Sequence, residues 1–340
     1  GAAMTGNRAG FDLAMEPIAV RLARRGLGTT APNPSVGAVI VDAATGEVIA
    51  RGWTQPGGRP HAEAVALEAA GTAARRAELY VSLEPCAHVS VRGPACADLI
   101  VASGISAVHI AVLDPDPRTA GQGAARLRDA GIAVTVGTGE AAARAAMPGF
   151  FSRMERGRPR ITLKLAMSID GRVSMPGGES QWITGPEARA HVHLERALAD
   201  VIVVGRGTLE ADNPSLDVRL PGLEDRSPRP AVLSATLDAL PASAKLAARE
   251  TLLLASVEDM CALAVNDVFV EGGPATASTL LAADLVDRML VYRAPIVIGD
   301  GAPGAGRIGL ERLADAHGRW RLAETRTFGN DRLEVYARTR

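Results

Sequence analysis

Three short motifs constrain this chain more than anything else in it: Pro60-His61-Ala62-Glu63-Ala64, then Leu83-Glu84-Pro85-Cys86, then Pro94-Ala95-Cys96. One imidazole and two thiols make a three-ligand set for Zn²⁺ that leaves the fourth tetrahedral position open to water. An unligated carboxylate, Glu63, stands two residues beyond the histidine. A fold that uses these groups must bring three separated segments to one point.

The set suits hydrolytic deamination of an amino-bearing, imine-like ring carbon. Attack by water needs hydroxide near neutral pH, and Zn²⁺ supplies it by lowering the pKa of its bound water to about 7. Glu63 is then the catalytic proton shuttle from water to ring nitrogen to leaving ammonia. Pro60 marks a helix start that puts His61 and Glu63 in the first turn. Cys86 follows an expected strand over 78–83, and Pro94 reads as a second helix opening, where the dipole favours thiolate. Taken singly, each residue fits an ordinary core, since buried cysteine behaves as a small apolar residue. H-x-E followed by P-C and a second cysteine, in that order, points to a metal site. Cys261 has no such context and is expected in the core.

A length of 340 residues suggests two domains, because single cores stop growing near about 250–300 residues. Lys+Arg of 37 against Asp+Glu of 38 leaves no electrostatic footprint for nucleic acid or an anionic membrane. Aromatics at 3% argue against a base-stacking platform. Three cysteines, two of them claimed by metal, point to a reducing, cytoplasmic setting. No apolar run reaches membrane-span length and no signal-peptide core is visible. Gly1-Ala2-Ala3 ahead of Met4 reads as an appended remnant.

Periodicity gives a first domain over 8–148, a helix/sheet/helix sandwich. Its helices are expected at 11–25, 61–70, 94–103 and 122–130, and its strands at 36–41, 47–53, 78–83, 107–113 and 132–136. The stretch 147–160 is a linker or its helical equivalent. A second α/β domain over 157–340 has a helix at 186–199 and strands at 161–166, 201–204, 231–233, 252–255, 268–270, 288–298 and 333–337, with a polar loop at 221–230. His191 and His193 lie two apart on a helix and are read as surface residues.

In that second half, Val204-Gly205-Arg206-Gly207-Thr208 lacks the third glycine of a dinucleotide fingerprint. Phe269 to Thr276 is more suggestive. A strand ends, Gly272 and Gly273 allow close approach, and a Pro274-initiated helix offers free N–H groups suited to pyrophosphate. An ordinary strand-turn-helix connection reads equally well. The loops 178–184 and 211–219 are dense in acid, amide and guanidinium groups, as both functional and merely solvated loops are.

These motifs, in this order, resemble the bifunctional riboflavin-biosynthesis deaminase/reductase family over nearly the whole chain. The resemblance rests on Pro32-Asn33-Pro34-Ser35-Val36-Gly37, His61-Ala62-Glu63, Leu83-Glu84-Pro85-Cys86-Ala87-His88 and Pro94-Ala95-Cys96-Ala97-Asp98. In the second half it rests on Lys164-Leu165, Ser168-Ile169-Asp170-Gly171-Arg172, Gly178 to Thr184, Ala211 to Arg219 and Val270 to Pro274. It implies an α/β chain: a cytidine-deaminase-like α/β/α domain followed by a dihydrofolate-reductase-like α/β domain. It implies zinc-dependent removal of the 2-amino group of 2,5-diamino-6-(5-phosphoribosylamino)pyrimidin-4(3H)-one, then NADPH-dependent reduction of the ribosyl group to ribityl.

Carried over by position, Zn²⁺ falls on His61, Cys86 and Cys96, with Glu63 catalytic. NADPH falls on Ala166, Trp182, Thr208, Asp212 and the helix start made by Gly273, Pro274, Ala275, Thr276, Ala277, Ser278 and Thr279. Substrate falls on Ser180, Arg196, Leu216, Arg219 and Glu271, with Asn33, His88 and Lys164 in matching motifs. Lys164, Asp212 and Glu271 compete as proton source for the new alkoxide. Arginines suit a substrate that keeps its 5-phosphate. The expected partners are that phosphorylated pyrimidine and further copies of the chain, as a dimer or tetramer.

Two departures stand out. Residues 87–95 make the gap between the thiols one longer than the family's usual spacing, which metal binding tolerates because loop extension costs little entropy. Gln122 stands where the family tends to have Lys or Arg. They motivate a competing expectation, a reductase carrying a folded but inactive deaminase-like scaffold. A nucleic-acid base deaminase would share H-x-E and P-C but explains neither the neutral charge nor the second domain.

Overall fold

The computed structural model describes residues 8–340, so Gly1-Ala2-Ala3, expected to be an appended remnant, lies outside the described residues. The chain divides into two compact units, one running through Gly157 and one starting at Arg158.

The first unit is a five-stranded sheet of order β2-β1-β3-β4-β5. Its strands are β1 (Gly37–Val41), β2 (Val48–Trp53), β3 (Glu78–Val81), β4 (Ala107–Ile110) and β5 (Ala133–Val136). β1 pairs antiparallel with β2 and β3, while β3, β4 and β5 run parallel. All of β1 is buried, because alternate residues serve opposite faces. Ala38 and Ile40 join the core under α2 (Ala62–Ala70), α3 (Cys96–Ser103) and α4 (Gln122–Asp129), whereas Val39 and Val41 pack with α1 (Arg8–Ala23) and Tyr80. Each fully buried Val, Leu or Ile contributes roughly 1.5–3 kcal/mol.

The stretch expected as a linker or its helical equivalent is helical. After α5 (Glu140–Ala146) comes α6 (Pro148–Arg156), whose Phe150 and Phe151 enter the same core as α3 and α4. The first unit therefore continues past residue 148. Two expected helix starts also shift: α2 begins at Ala62 with His61 as its N-cap, and α3 begins at Cys96 with Ala95 as its N-cap. Pro60 and Pro94 precede the caps because their fixed φ suits the approach as well as the first turn.

The second unit is an eight-stranded sheet of order β12-β13-β11-β6-β10-β7-β8-β9. Its parallel part comprises β6 (Arg160–Met167), β7 (Val201–Gly205), β8 (Arg229–Leu233), β9 (Leu252–Leu254), β10 (Asp267–Val270) and β11 (Arg288–Arg293). Helices α9 (Val257–Cys261) and α10 (Pro274–Ala282) cover the face bearing Ile161, Val203 and Val268. Helices α7 (Pro186–Ala197) and α8 (Arg206–Asp212) cover the face bearing Ile202, Val204 and Phe269.

An antiparallel hairpin of β12 (Trp320–Phe328) and β13 (Asp331–Arg338) closes one edge on β11. β12 has no counterpart in the sequence reading, because nearly all its side chains are exposed and carry no apolar alternation. The strand expected over 288–298 stops at Arg293. Ile296 and Val297 are exposed instead, and the main chain turns there, with Asp170 accepting the N–H groups of Ile298 and Gly299. Cys261, expected in the core, is only partly buried at its edge.

Candidate active sites

The metal centre is built from three caps and turns. His61 has extended backbone at the start of α2 (φ −69°, ψ 160°) and Glu63 sits in that helix's first turn. Cys86 lies beyond β3, and Cys96 is the first residue of α3. His61 Nδ1 stands 3.3 Å from Cys96 Sγ and 3.7 Å from Cys86 Sγ, and all three ligand atoms lie within 4.8 Å of one another. The Cys96 N–H points at Cys86 Sγ, 3.3 Å away, so the start of α3 favours negative charge on that sulfur. Hydrogen bonding from the Cys96 thiol, with help from His61 and that N–H, holds the Cys86 thiol far below the usual range. One nitrogen, two sulfurs, a thiolate-favouring environment and spacing for a common centre fit a tetrahedral Zn²⁺.

Glu63 is 3% exposed. Burial pushes its carboxyl up to about 7, with His61 pulling it back and Cys86 adding to the rise. A carboxyl poised near neutrality beside the ligands can both take and give a proton.

Glu84 is a positioning residue that the sequence reading passed over. Its buried carboxylate accepts N–H bonds from Asp114 (3.1 Å), Gly121 (2.9 Å) and Ala124 (2.9 Å), capping α4 and fixing the segment that carries Cys86. Gly123 is required opposite it, since a Cβ there would fall 2.0 Å from the Pro85 carbonyl oxygen. The signal was a glutamate inside an otherwise buried strand end, which needs partners. Gln122 beside it donates to the Arg118 carbonyl at 2.5 Å and faces solvent. His88 is exposed, and the Asn33 side chain donates to the Gly58 carbonyl at 3.0 Å.

In the second unit the structure gathers Lys164 of β6, Arg196 of α7 and Glu271, which follows β10. Lys164 Nζ lies 3.1 Å from Glu271 Oε1, and Arg196 Nε lies 2.6 Å from Oε2, while Arg196 Nη1 donates to the Asp217 carbonyl. Burial alone would raise the Glu271 carboxyl, but the two cations outweigh it and hold it near 2. The pair of cations thus favours the ionised form of Glu271. Arg219 pairs with Asp217 and Ser215, and its N–H donates to His193 Nδ1. Desolvation, with the charges of Arg196 and Arg219, pushes His193 down to about 4.

The other expected residues differ widely in exposure. Leu216 is 2% exposed, with its side chain in the core, so only its backbone (φ +56°) can meet a ligand. Ala277 is likewise core. Gly205 and Gly272 make room for Thr276, whose atoms would stand 2.3 Å and 2.6 Å from a Cβ at those positions. Those two glycines therefore serve packing, and Gly273, the N-cap of α10, has Thr208 beside it. Ser278 and Thr279 bond back to Pro274 and Ala275. Asp212 is exposed, Ala166 and Ser180 are half-buried, and Trp182 is exposed with Arg189 over its ring at 4.5 Å. His191 and His193 are not surface residues. His191 is buried, stacked on Phe328 and bonded to the Tyr292 hydroxyl, and His193 is half-buried behind Arg219.

Fold and site together define an α/β chain with a cytidine-deaminase-type zinc-binding unit followed by a second α/β unit. Residues 12–112 match the cytidine and deoxycytidylate deaminase zinc-binding region, and residues 159–333 match the RibD C-terminal domain. The chain is 39% identical to the Escherichia coli riboflavin biosynthesis protein RibD, covering 92% of this chain and 95% of that one. Among solved structures, Acinetobacter baumannii RibD is 33% identical and superposes with a TM-score of 0.88, covering 97% of this chain and 99% of that one. A Thermotoga maritima diaminohydroxyphosphoribosylaminopyrimidine deaminase/5-amino-6-(5-phosphoribosylamino)uracil reductase is 28% identical, with a TM-score of 0.84 over the same shares. The chain belongs to the RibD family of riboflavin biosynthesis.

Proposed function

We propose that this chain deaminates 2,5-diamino-6-(5-phosphoribosylamino)pyrimidin-4(3H)-one in its first unit and reduces the ribosyl group of the product in its second. The observation that carries the reading is the convergence of His61, Cys86 and Cys96, with buried Glu63 beside them. Zn²⁺ held by those three residues supplies a water of lowered pKa and a Lewis acid. Glu63 accepts one proton of the attacking water and passes it to the ring nitrogen, then takes the remaining hydroxyl proton as the carbonyl forms and delivers it to the amino group, which leaves as ammonia. Burial serves that role by keeping its carboxyl titrating near neutrality. The extra residue in the 87–95 loop leaves the donor set compact.

In the second unit NADPH supplies the hydride. Gly273 and the start of α10 lie where a pyrophosphate would meet free N–H groups, with Thr208 beside them. We assign Trp182, Asp212 and Ala166 to the cofactor and Ser180 and Arg219 to the substrate. Arg196 orients Glu271 and the 215–219 loop. Because Glu271 stays ionised, Lys164, which it holds at 3.1 Å, is the proton donor for the alkoxide. Asn33 and His88 flank the deaminase substrate. A reducing, cytoplasmic setting suits the paired thiols, and we assign a homo-oligomer. No helix among the described residues is long and apolar enough to cross a membrane.

Purified protein given Zn²⁺, NADPH and the pathway substrate is expected to release ammonia and oxidise the cofactor. Ammonia without oxidation refutes the reductase half, and oxidation only of pre-deaminated substrate refutes the deaminase half.

A further inference from the structure

Water, metal and carboxylate complete the deamination chemistry, yet the cavity that opens onto His61 and Cys96 carries two guanidinium groups besides. The cavity, of about 390 Å³, is walled by Arg59, Arg92, Gly93 and Leu99 next to the two ligands. We propose that Arg59 is the anion-binding arm of this cavity, selecting the phosphorylated form of the substrate. The proposal rests on the deaminase reading above.

The two arginines are not equivalent. Arg92 Nη2 is tied to the Gly57 carbonyl at 3.1 Å. Arg59 makes no hydrogen bond or ion pair with any described residue, and its Nη1 would lie 3.5 Å from a Cβ at Gly93, so it lies along the cavity wall with its donors unspent. A half-buried guanidinium on a cavity wall with no carboxylate beside it keeps its fork of donors available to an incoming anion.

Its backbone is held in place. The turn Pro56–Gly58 just before it is pinned by Gly57 N–H to the Thr29 carbonyl, by Asn33 to the Gly58 carbonyl and by Arg92 to the Gly57 carbonyl. Gly58 must lack a side chain, since φ is +88° and a Cβ would strike the Asn33 amide at 2.2 Å. A fork of N–H donors on a pinned backbone beside the metal ligands, two residues from His61, suits a tetrahedral oxyanion better than a neutral sugar.

Arg59→Gln in the full-length, zinc-loaded protein tests this against both the phosphorylated substrate and its dephosphorylated ribosyl counterpart. For ammonia release from the phosphorylated compound, KM is expected to rise about 10- to 100-fold, with kcat within about twofold. Kinetics on the dephosphorylated compound should not move, zinc content should stay equal, and Arg59→Lys should recover part of the loss. Equal changes on both compounds, or an unchanged KM, overturn the proposal. Ribose 5-phosphate binding measured by calorimetry gives a readout that needs no turnover. Weaker binding to the Gln variant supports the arm, and equal binding overturns it even where ammonia release is normal. A parent protein that releases no ammonia but loses ribose 5-phosphate affinity on Arg59→Gln defeats the deaminase reading and leaves the arm standing.

Discussion

The two sites of this chain handle charge in opposite ways. Around His61, Cys86 and Cys96 the fold aims electron pairs at one point. Around Glu271 it surrounds a carboxylate with Lys164 and Arg196. The first arrangement gains its strength from an added cation, since thiolates and imidazole brought together otherwise compete for protons. The second is balanced within the protein, its carboxylate already paired with two cations. A centre of the first kind should be switchable by metal and pH, whereas one of the second kind should break only when a member is removed.

The largest effect should come from stripping metal with a chelator. Ammonia release is expected to vanish while NADPH oxidation with deaminated substrate continues, as followed by ammonia assay and absorbance at the cofactor band. Loss of both activities together would break the contrast. Glu63→Gln sharpens it. That change keeps the ligands, so zinc content should persist while ammonia release falls by about 10²–10⁴-fold. A smaller loss would mean that another group moves the proton.

The difference between the sites also explains what the sequence could and could not reveal. The metal motifs are local, each a ligand at a helix cap or strand end, so spacing alone identifies them. The ion cluster joins residues 164, 196 and 271, and only the parallel pairing of β6 with β10 and the docking of α7 bring them together. Buried strands such as β1 and β7 announce themselves by continuous apolar runs. Exposed β12 does not, and with it went the burial of His191, which depends on Phe328 at that strand's end. The inward turn of the Leu216 side chain was hidden for a related reason: a polar loop gives no sign of which member turns inward.

Glu271→Gln attacks the balanced site. It leaves two buried cations without their carboxylate, a defect that costs about 3–5 kcal/mol when one partner of a buried pair is removed. Hydrogen exchange should show lost protection at β6 and β10 and little change in the first unit. The pH dependence follows in sign. The folded carboxyl titrates near 2, below its ordinary 4.5, so its stabilisation is complete above that ordinary value and is lost as pH falls from about 4.5 toward 2. The Gln variant should have a flatter melting profile through that window.

The smallest effect concerns a buried acid with the opposite sign. Glu16 of α1 is 1% exposed, and neither carboxylate oxygen has a hydrogen-bond partner among the described residues. Burial first, and the charge of Asp12 second, push its carboxyl up to about 9. The folded protein therefore keeps a proton that the unfolded chain releases, and stability falls as pH rises from about 4.5 toward 9. Proton linkage caps this at ~1.4 kcal/mol per pH unit, and structural relaxation and water entry reduce it, so about 1–2 kcal/mol between pH 5 and pH 8 is expected. Glu16→Gln should leave melting at pH 5 nearly unchanged and raise it at pH 8, with the gain confined to the first unit. An equal shift at both pH values would mean that Glu16 finds a partner on folding.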